Sequence, residues 1–176
     1  MLNHVSYLHK VILLSVLSVV LMSVSCPAQS TNDTPSTPSY LVVGGGMSGV
    51  FDDEKSIIGM VEFQPKFHVG PLGTWIGVQA SDQEYYLGAG LLYDWYVTEH
   101  IFITPSFGIG AYGEHHGIDL GSTLEFRSGI ECGYDMKDSG RISVGFWHLS
   151  NAGLGVDENP GTEVVALRYA FPISKP

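Results

Sequence analysis

Apolar and polar residues alternate along most of the chain beyond residue 39. From Leu124 to Met136 the even-numbered positions are mostly apolar, whereas Glu125, Arg127 and Glu131 stand at odd-numbered ones. Successive side chains of a β-strand point to opposite faces, so this period of two predicts a strand with one apolar and one polar face. Turn residues separate eight such segments, which predicts an all-β chain with these strands: Tyr40–Val50, Ser56–Val69, Thr74–Ala80, Tyr85–Val97, His100–Tyr112, Ser122–Met136, Arg141–Ala152 and Thr162–Ile173.

The length and number of these strands favour a barrel that crosses a membrane over a soluble sandwich with an apolar interior. The longer strands can cross a bilayer at a tilt, and an even number of antiparallel strands closes without leaving an edge in lipid. Short turns follow the second, fourth and sixth strands, and longer loops lie at the other end, as in outer-membrane barrels. Aromatic residues near strand ends are typical of interfacial girdles: Tyr93, Trp95, Tyr134 and Trp147.

We therefore predict an eight-stranded antiparallel transmembrane β-barrel of the bacterial outer membrane, formed by residues 39–176 with periplasmic termini. Side chains fill the interior of a barrel of this size, so a channel is not expected. The polar faces of the strands place a charged network inside: Glu62, Lys66, Asp94, Glu125, Arg127, Glu131 and Arg168. The glycines of VVGGGMSG are expected to relieve crowding in this narrow interior or to bend the strand.

The beginning of the chain has the pattern of a secretory signal peptide. Lys10 precedes an apolar run from Val11 that ends in small residues near Ala28. This run is short for a transmembrane anchor, and Ser23 is not the aliphatic residue that a lipoprotein signal ending at Cys26 requires. We assign residues 1–28 to a signal peptide and residues 29–38 to a flexible polar leader.

Charge and cysteine content narrow the remaining possibilities. The net charge of −10 argues against nucleic acid as a partner, because phosphate binding requires a basic surface. After removal of the signal peptide the mature chain keeps only Cys132, so no intramolecular disulfide is expected. The Glu114-His115-His116 run lacks a spaced third ligand and is interpreted as a solvated loop, not as a metal site.

Polar residues interrupt the apolar face where the last two strands meet. His148 and Ser150 continue the lipid-facing row of the seventh strand, and Glu163 opens the corresponding row of the eighth. With periplasmic termini, this end of the barrel lies at the outer leaflet. Polar groups on a lipid-facing surface are costly, and these three types are a nucleophile, a base and an orienting acid. The arrangement indicates catalysis by Ser150, His148 and Glu163.

The segment HLSNAGLG…NPGTE, within the last thirty or so residues, resembles the signature of the outer-membrane lipid A 3-O-deacylases (acyloxyacyl hydrolases) of Gram-negative bacteria. The resemblance implies an eight-stranded barrel with a Ser-His-Glu triad that hydrolyses the 3-O-linked acyl chain of lipid A (lipopolysaccharide) in the outer leaflet. It implies that His148 is the base, Ser150 the nucleophile and Glu163 the acid, without a metal or an organic cofactor. Asn151 is the expected oxyanion-hole residue, and Asn159 is a weaker candidate for the same task.

Several alternatives stay open at the level of sequence. The chain could be a non-catalytic small barrel that binds surface ligands through its loops, or a phospholipase or acyltransferase with the same triad. Asp157 and Glu158 are rival acids, although they stand in GVDENPG, where acidic residues are usually solvated. The chain also continues beyond Phe171 as Ile-Ser-Lys-Pro, whereas outer-membrane barrels commonly end in an aromatic residue.

Overall fold

A computed structural model describes residues 38–137, 139–154 and 159–174. The predicted signal peptide and all of the leader except residue 38 lie outside these residues. The described part of the chain is all-β, and within it no helix is long and apolar enough to cross a membrane. Its strands are β1 (Tyr40–Ser48), β2 (Ser56–Gln64), β3 (His68–Val69), β4 (Leu72–Ala80), β5 (Glu84–Leu92), β6 (Trp95–Tyr96), β7 (Ile101–Glu114), β8 (Leu124–Asp135), β9 (Arg141–Ser150) and β10 (Thr162–Pro172).

The strands form one closed antiparallel barrel. Neighbouring strands follow the order β2-β1-β10-β9-β8-β7-β5-β4, and a further pairing of β2 with β4 completes the ring. The two-residue strands β3 and β6 continue β2 and β5 after short breaks and pair with β4 and β7. Eight long strands therefore make the wall, which confirms the predicted eight-stranded barrel.

The breaks correct one part of the predicted interior. The second strand is interrupted at residues 65–67, after which its alternation no longer follows the original face. Lys66 lies in this break and is exposed, so it is not part of the charged interior. Proline at position 65 has no N–H to donate to the neighbouring strand, which is the physical reason that pairing stops there.

The outer surface of the barrel is apolar along every long strand. Ile130, Val144 and Leu167, from three adjacent strands, are each more than half exposed. An exposed surface of this kind is what a bilayer requires of a barrel wall. Trp95 and Tyr134 are also exposed, as expected of girdle residues. Trp147 is not: it is only 1 % exposed and points into the barrel, so its prediction as a girdle residue was wrong.

A network of ion pairs fills the middle of the barrel. The Glu62 carboxylate accepts hydrogen bonds from Arg127 at 2.8 Å and Arg168 at 2.7 Å, and Arg168 also binds Glu131 at 2.6 Å. The Arg127 guanidinium lies 3.7 Å from the centre of the Trp75 ring. These side chains come from four different strands. They therefore connect different parts of the barrel wall and fill the interior.

A second group of ion pairs lies toward the predicted periplasmic end, where β9 begins. Arg141 binds Asp94 at 2.9 Å and Asp135 at 3.0 Å, and its guanidinium lies 3.7 Å from the centre of the Phe102 ring. Crowding inside the barrel also explains a glycine of the VVGGGMSG run. A Cβ on Gly44 would lie 2.9 Å from the Arg168 side chain, which supports the expectation that these glycines relieve crowding.

The loop between β7 and β8 closes the predicted outer end of the barrel. Leu120 in this loop is 1 % exposed and joins the buried apolar cluster that contains Tyr112 and Trp147. The Tyr112 hydroxyl donates to the Ile118 carbonyl at 2.8 Å and fixes the path of the loop. Residues that follow β9 pack against this closed end, which positions the candidate site.

Candidate active site

The candidate site lies on the hairpin formed by β9 and β10. In the antiparallel register of these strands, His148 pairs with Glu163 and Leu149 pairs with Thr162. Ser150 is the last residue of β9 and pairs on its other side with Phe126 of β8. The alternation of the strand places His148 and Ser150 on the same, lipid-facing side. The next residues on that side are apolar. They are Phe146 and Val165, which pair with each other two residues closer to the middle of the barrel wall.

The His148 and Glu163 side chains are in direct contact. Nδ1 of His148 lies 3.1 Å from Oε1 of Glu163, and the two side chains are 15 % and 13 % exposed. A carboxylate beside Nδ1 favours the tautomer that carries its proton on Nδ1, which leaves Nε2 as an acceptor. The structure thus brings together the predicted base and the predicted acid.

The Ser150 hydroxyl is surrounded by donors and acceptors of the following turn. The backbone N–H of Ala152 donates to Ser150 Oγ at 3.1 Å. One polar atom of the Asn159 amide lies 2.7 Å from Oγ and the other lies 3.3 Å from it. The nearer atom also faces the N–H groups of Ala152 and Gly153, at 3.3 and 3.2 Å, so we assign it as the oxygen and the farther atom as Nδ2.

The two predicted oxyanion-hole residues occupy different surroundings. Asn151 is 1 % exposed. Its Nδ2 donates to the Leu120 carbonyl at 2.7 Å, and its Oδ1 accepts from the Gly153 N–H at 2.7 Å. These bonds connect the turn after β9 with the loop that closes the barrel. Asn159, by contrast, presents its amide directly to Ser150.

Two features of the site were not visible in the sequence. The loop between β1 and β2 supports the start of β10, because the Val50 N–H donates to the Glu163 carbonyl at 3.3 Å and the Thr162 hydroxyl binds Asp52 at 3.2 Å. Gly161 faces the His148 ring, with no room for a Cβ between them. Both features depend on how loops pack, which strand alternation does not report.

The other acidic and histidine candidates are not part of this arrangement. The rival acids Asp157 and Glu158 lie outside the described residues. His115 and His116 are exposed, with ring centres 4.2 Å apart. Among the residues that the structure describes, no three His, Cys, Asp or Glu side chains are grouped to hold a metal ion.

Comparison with known proteins identifies the family. The model of a family described as lipid A 3-O-deacylase (PagL) matches residues 62–172, well over half of the chain. The chain belongs to the lipid A 3-O-deacylase family. This confirms the resemblance seen in the segment that carries His148, Ser150 and Glu163.

One curated relative agrees with this assignment, and two solved structures share the fold. The chain is 29% identical over 82 residues to the lipid A deacylase PagL of Bordetella bronchiseptica, a match that spans 46% of this chain and 46% of that relative. The crystal structure of the outer membrane enzyme PagL is similar to this barrel with a TM-score of 0.61 and 21% identity, covering 76% of this chain and 99% of the other. Neisserial surface protein A has a similar barrel, with a TM-score of 0.53 and 10% identity over 77% of this chain and 97% of its own.

Fold and family together give the location of this lipid A 3-O-deacylase family member. Its closed barrel has an apolar exterior and the fold of the two solved barrels. The chain is therefore a β-barrel protein of the bacterial outer membrane, as predicted. The two longest connections between its long strands, β7–β8 and β9–β10, lie at the end of the barrel that holds the candidate site.

Proposed function

We propose that this chain is a serine esterase that hydrolyses the 3-O-linked acyl chain of lipid A in the outer leaflet. Ser150 is the nucleophile, His148 the general base and Glu163 the acid that orients the base. The observation that carries the proposal is the 3.1 Å contact between His148 Nδ1 and Glu163 Oε1 on the face that also holds Ser150. Family membership supports the choice of substrate and bond.

Acylation begins with attack by Ser150. A serine hydroxyl is a weak nucleophile until a base removes its proton. As Oγ bonds to the ester carbonyl carbon, His148 Nε2 takes the Oγ proton. Glu163 keeps the imidazole in the required tautomer and stabilises the cation that forms.

The tetrahedral intermediate carries a negative charge on the former carbonyl oxygen, which needs donors that are already in place. We assign this task to Asn159, because its Nδ2 lies 3.3 Å from Ser150 Oγ, the atom to which the reacting carbon becomes bonded. Asn151 is the less favoured assignment, since both polar atoms of its side chain are bonded to backbone groups. Its contribution is to hold the turn that contains Ala152 and Gly153.

The intermediate collapses when the bond between the carbonyl carbon and the sugar oxygen breaks. The imidazolium of His148 gives its proton to that oxygen, which leaves a free 3-hydroxyl on the lipid and an acyl ester on Ser150. A water molecule then attacks this ester with His148 as base. The second collapse releases the fatty acid and restores the Ser150 hydroxyl.

The surroundings of the site suit a substrate that is itself part of the membrane. Phe126, Phe146 and Val165 lie next to Ser150, His148 and Glu163 on the lipid-facing side. An acyl chain of a lipid in the outer leaflet can therefore reach Ser150 without leaving an apolar environment. A water-soluble ester would gain nothing from this placement.

Mass spectrometry of lipid A tests the proposal. Lipid A from a Gram-negative host that expresses the chain should lose one ester-linked acyl chain, at position 3, relative to the same host with the Ser150→Ala variant. Equal amounts of folded protein in the outer membrane are the control. Unchanged lipid A would contradict the proposal. Fatty acid released from glycerophospholipid, with lipid A intact, would favour the phospholipase alternative.

We also propose that residues 1–28 direct export and are removed, which leaves a short polar leader before the barrel. N-terminal sequencing of the purified outer-membrane protein should begin close to residue 29. A mature protein that begins at Met1 would contradict this assignment.

A further inference from the structure

Gly161 lies against the His148 imidazole in a way that no other residue type would permit. Its φ is +68°, in the left-handed region that L side chains rarely adopt. A Cβ at this position would lie 2.5 Å from Cε1 and 3.1 Å from Nε2 of His148, and 3.3 Å from the Leu149 carbonyl oxygen. The first of these distances is shorter than any non-bonded carbon contact, so the ring would have to move.

This steric requirement distinguishes Gly161 from two other glycines of similar backbone conformation. Gly70 and Gly153 have φ values of +61° and +72°, but a Cβ on either would have no heavy atom within 4 Å. At those positions the backbone conformation alone explains the glycine. At Gly161 the neighbouring imidazole adds a second and independent reason.

Two edges of the imidazole are therefore held by β10 and the turn before it. Nδ1 is held by the Glu163 carboxylate at 3.1 Å, and the edge formed by Cε1 and Nε2 faces Gly161. We propose that Gly161 is a positioning residue, whose bare Cα holds the His148 ring in the plane that directs Nε2 toward Ser150. This inference rests on the proposed function, in which His148 is the base.

The expected effect on the reaction follows from geometry. A misplacement of about 1 Å in a reacting group can lower a rate about 10²-fold, because orientation supplies a large part of the rate enhancement. A Cβ at position 161 would displace the imidazole without removing any group that binds the lipid. Turnover should therefore fall while the apparent affinity for substrate stays nearly unchanged.

The kinetic test compares two substitutions at position 161 with a control elsewhere. Asn tolerates the left-handed region better than most residues, so Gly161→Asn adds the Cβ with less backbone strain than Gly161→Ala. Both variants should lower kcat about 10²-fold with little change in KM. Gly70→Ala, which adds a Cβ at a similar φ in open space, should keep wild-type kcat. Wild-type kcat in the folded Gly161→Asn variant would overturn the proposal.

A stability test examines the contact without any reference to activity. Gly161→Ala should lower the unfolding temperature of the barrel in detergent, and His148→Ala should restore part of that loss because it removes the ring that the new methyl group strikes. Gly161→Ala protein that fails to fold should fold again when combined with His148→Ala. An equal loss of stability, or failure to fold, in both backgrounds would overturn the proposal.

The two tests separate this proposal from the proposed function. If Ser150→Ala retained deacylation, the triad would be wrong, yet the stability cycle between positions 148 and 161 would still show whether the contact exists. If Ser150→Ala were inactive while both position-161 variants kept full turnover, the triad would stand and Gly161 would have no positioning role.

Discussion

Glu163 stands directly opposite His148 in the β9–β10 hairpin, and their side chains meet at 3.1 Å between Oε1 and Nδ1. Directly paired residues of an antiparallel ladder have Cβ atoms about 5 Å apart, a distance that a carboxylate and an imidazole readily span. A shift of register by one residue would turn Glu163 into the barrel and present Thr162 or Val164 to the histidine instead. The register between β9 and β10 thus determines which side chain contacts His148.

Loss of either reacting side chain should abolish deacylation. Ser150→Ala removes the nucleophile and His148→Ala removes the base, and groups that act as a unit give similar losses when removed singly. Both proteins should still migrate as heat-modifiable, folded barrels on gels, because neither side chain belongs to the interior network. Lipid A mass spectrometry measures the activity. Substantial deacylation by Ser150→Ala would place the nucleophile elsewhere.

Replacement of the acid should lower turnover without unfolding the barrel. Glu163→Gln keeps the size of the side chain but loses the charge that stabilises the imidazolium, so kcat should fall by about 10³- to 10⁴-fold. Glu158→Gln, which removes a loop carboxylate of the same type, is the matched control and should cost little. The opposite result, with Glu158→Gln inactive and Glu163→Gln active, would mean that the acid has been assigned to the wrong residue.

The two asparagines should respond differently to truncation. Asn159→Ala removes the amide that contacts Ser150 and should lower kcat by about 10²- to 10³-fold, as expected for an oxyanion donor. Asn151→Ala removes hydrogen bonds to Leu120 and Gly153, so its first effect should be a lower unfolding temperature. Kinetics on purified lipid A, together with thermal unfolding of each variant, distinguish the two. An active Asn159→Ala enzyme would return the oxyanion role to Asn151.

The ion pairs inside the barrel should be required for stability but not for chemistry. Arg168→Met leaves Glu131 without its Arg168 partner and weakens the hold on Glu62, and breaking a buried pair in this way costs about 3–5 kcal/mol. The temperature at which the barrel loses its compact form on gels should fall clearly. Lys137→Met, at an exposed periplasmic turn, is the control. Equal stability of the two variants would mean that Arg168 contributes nothing to the fold.

Strand alternation was sufficient to predict the barrel and to place the three candidate site residues on one face. It places Leu124, Ile130 and Val165 toward lipid, and Glu125 and Arg127 inside, because the side-chain period of a strand is fixed by its backbone. It also brings His148, Ser150 and Glu163 to one surface. These predictions depend only on parity within unbroken strands.

The errors arise where the alternation of a strand was disregarded, or where a break in the strand prevented it from being followed. Trp147 has the parity of Ser143 and Gly145 and lies inside with them, although its position near a strand end resembled a girdle. Lys66 follows a proline that interrupts its strand, so the alternation before the proline does not predict which face Lys66 occupies. The choice between Asn151 and Asn159 for the oxyanion stays a prediction, because it depends on the path of the turn before β10, which no periodic pattern describes.

The candidate chemistry is carried by a single stretch of chain, residues 148–163, which folds back on itself. Its members are close in sequence, so they can meet as soon as β9 and β10 pair, whereas closure of the wall requires β1 to reach β10 from the opposite end of the chain. The other six long strands need only keep an apolar outside and a filled inside. Substitutions in those strands that keep these two properties should therefore leave the candidate triad intact, because all three of its residues lie in one hairpin.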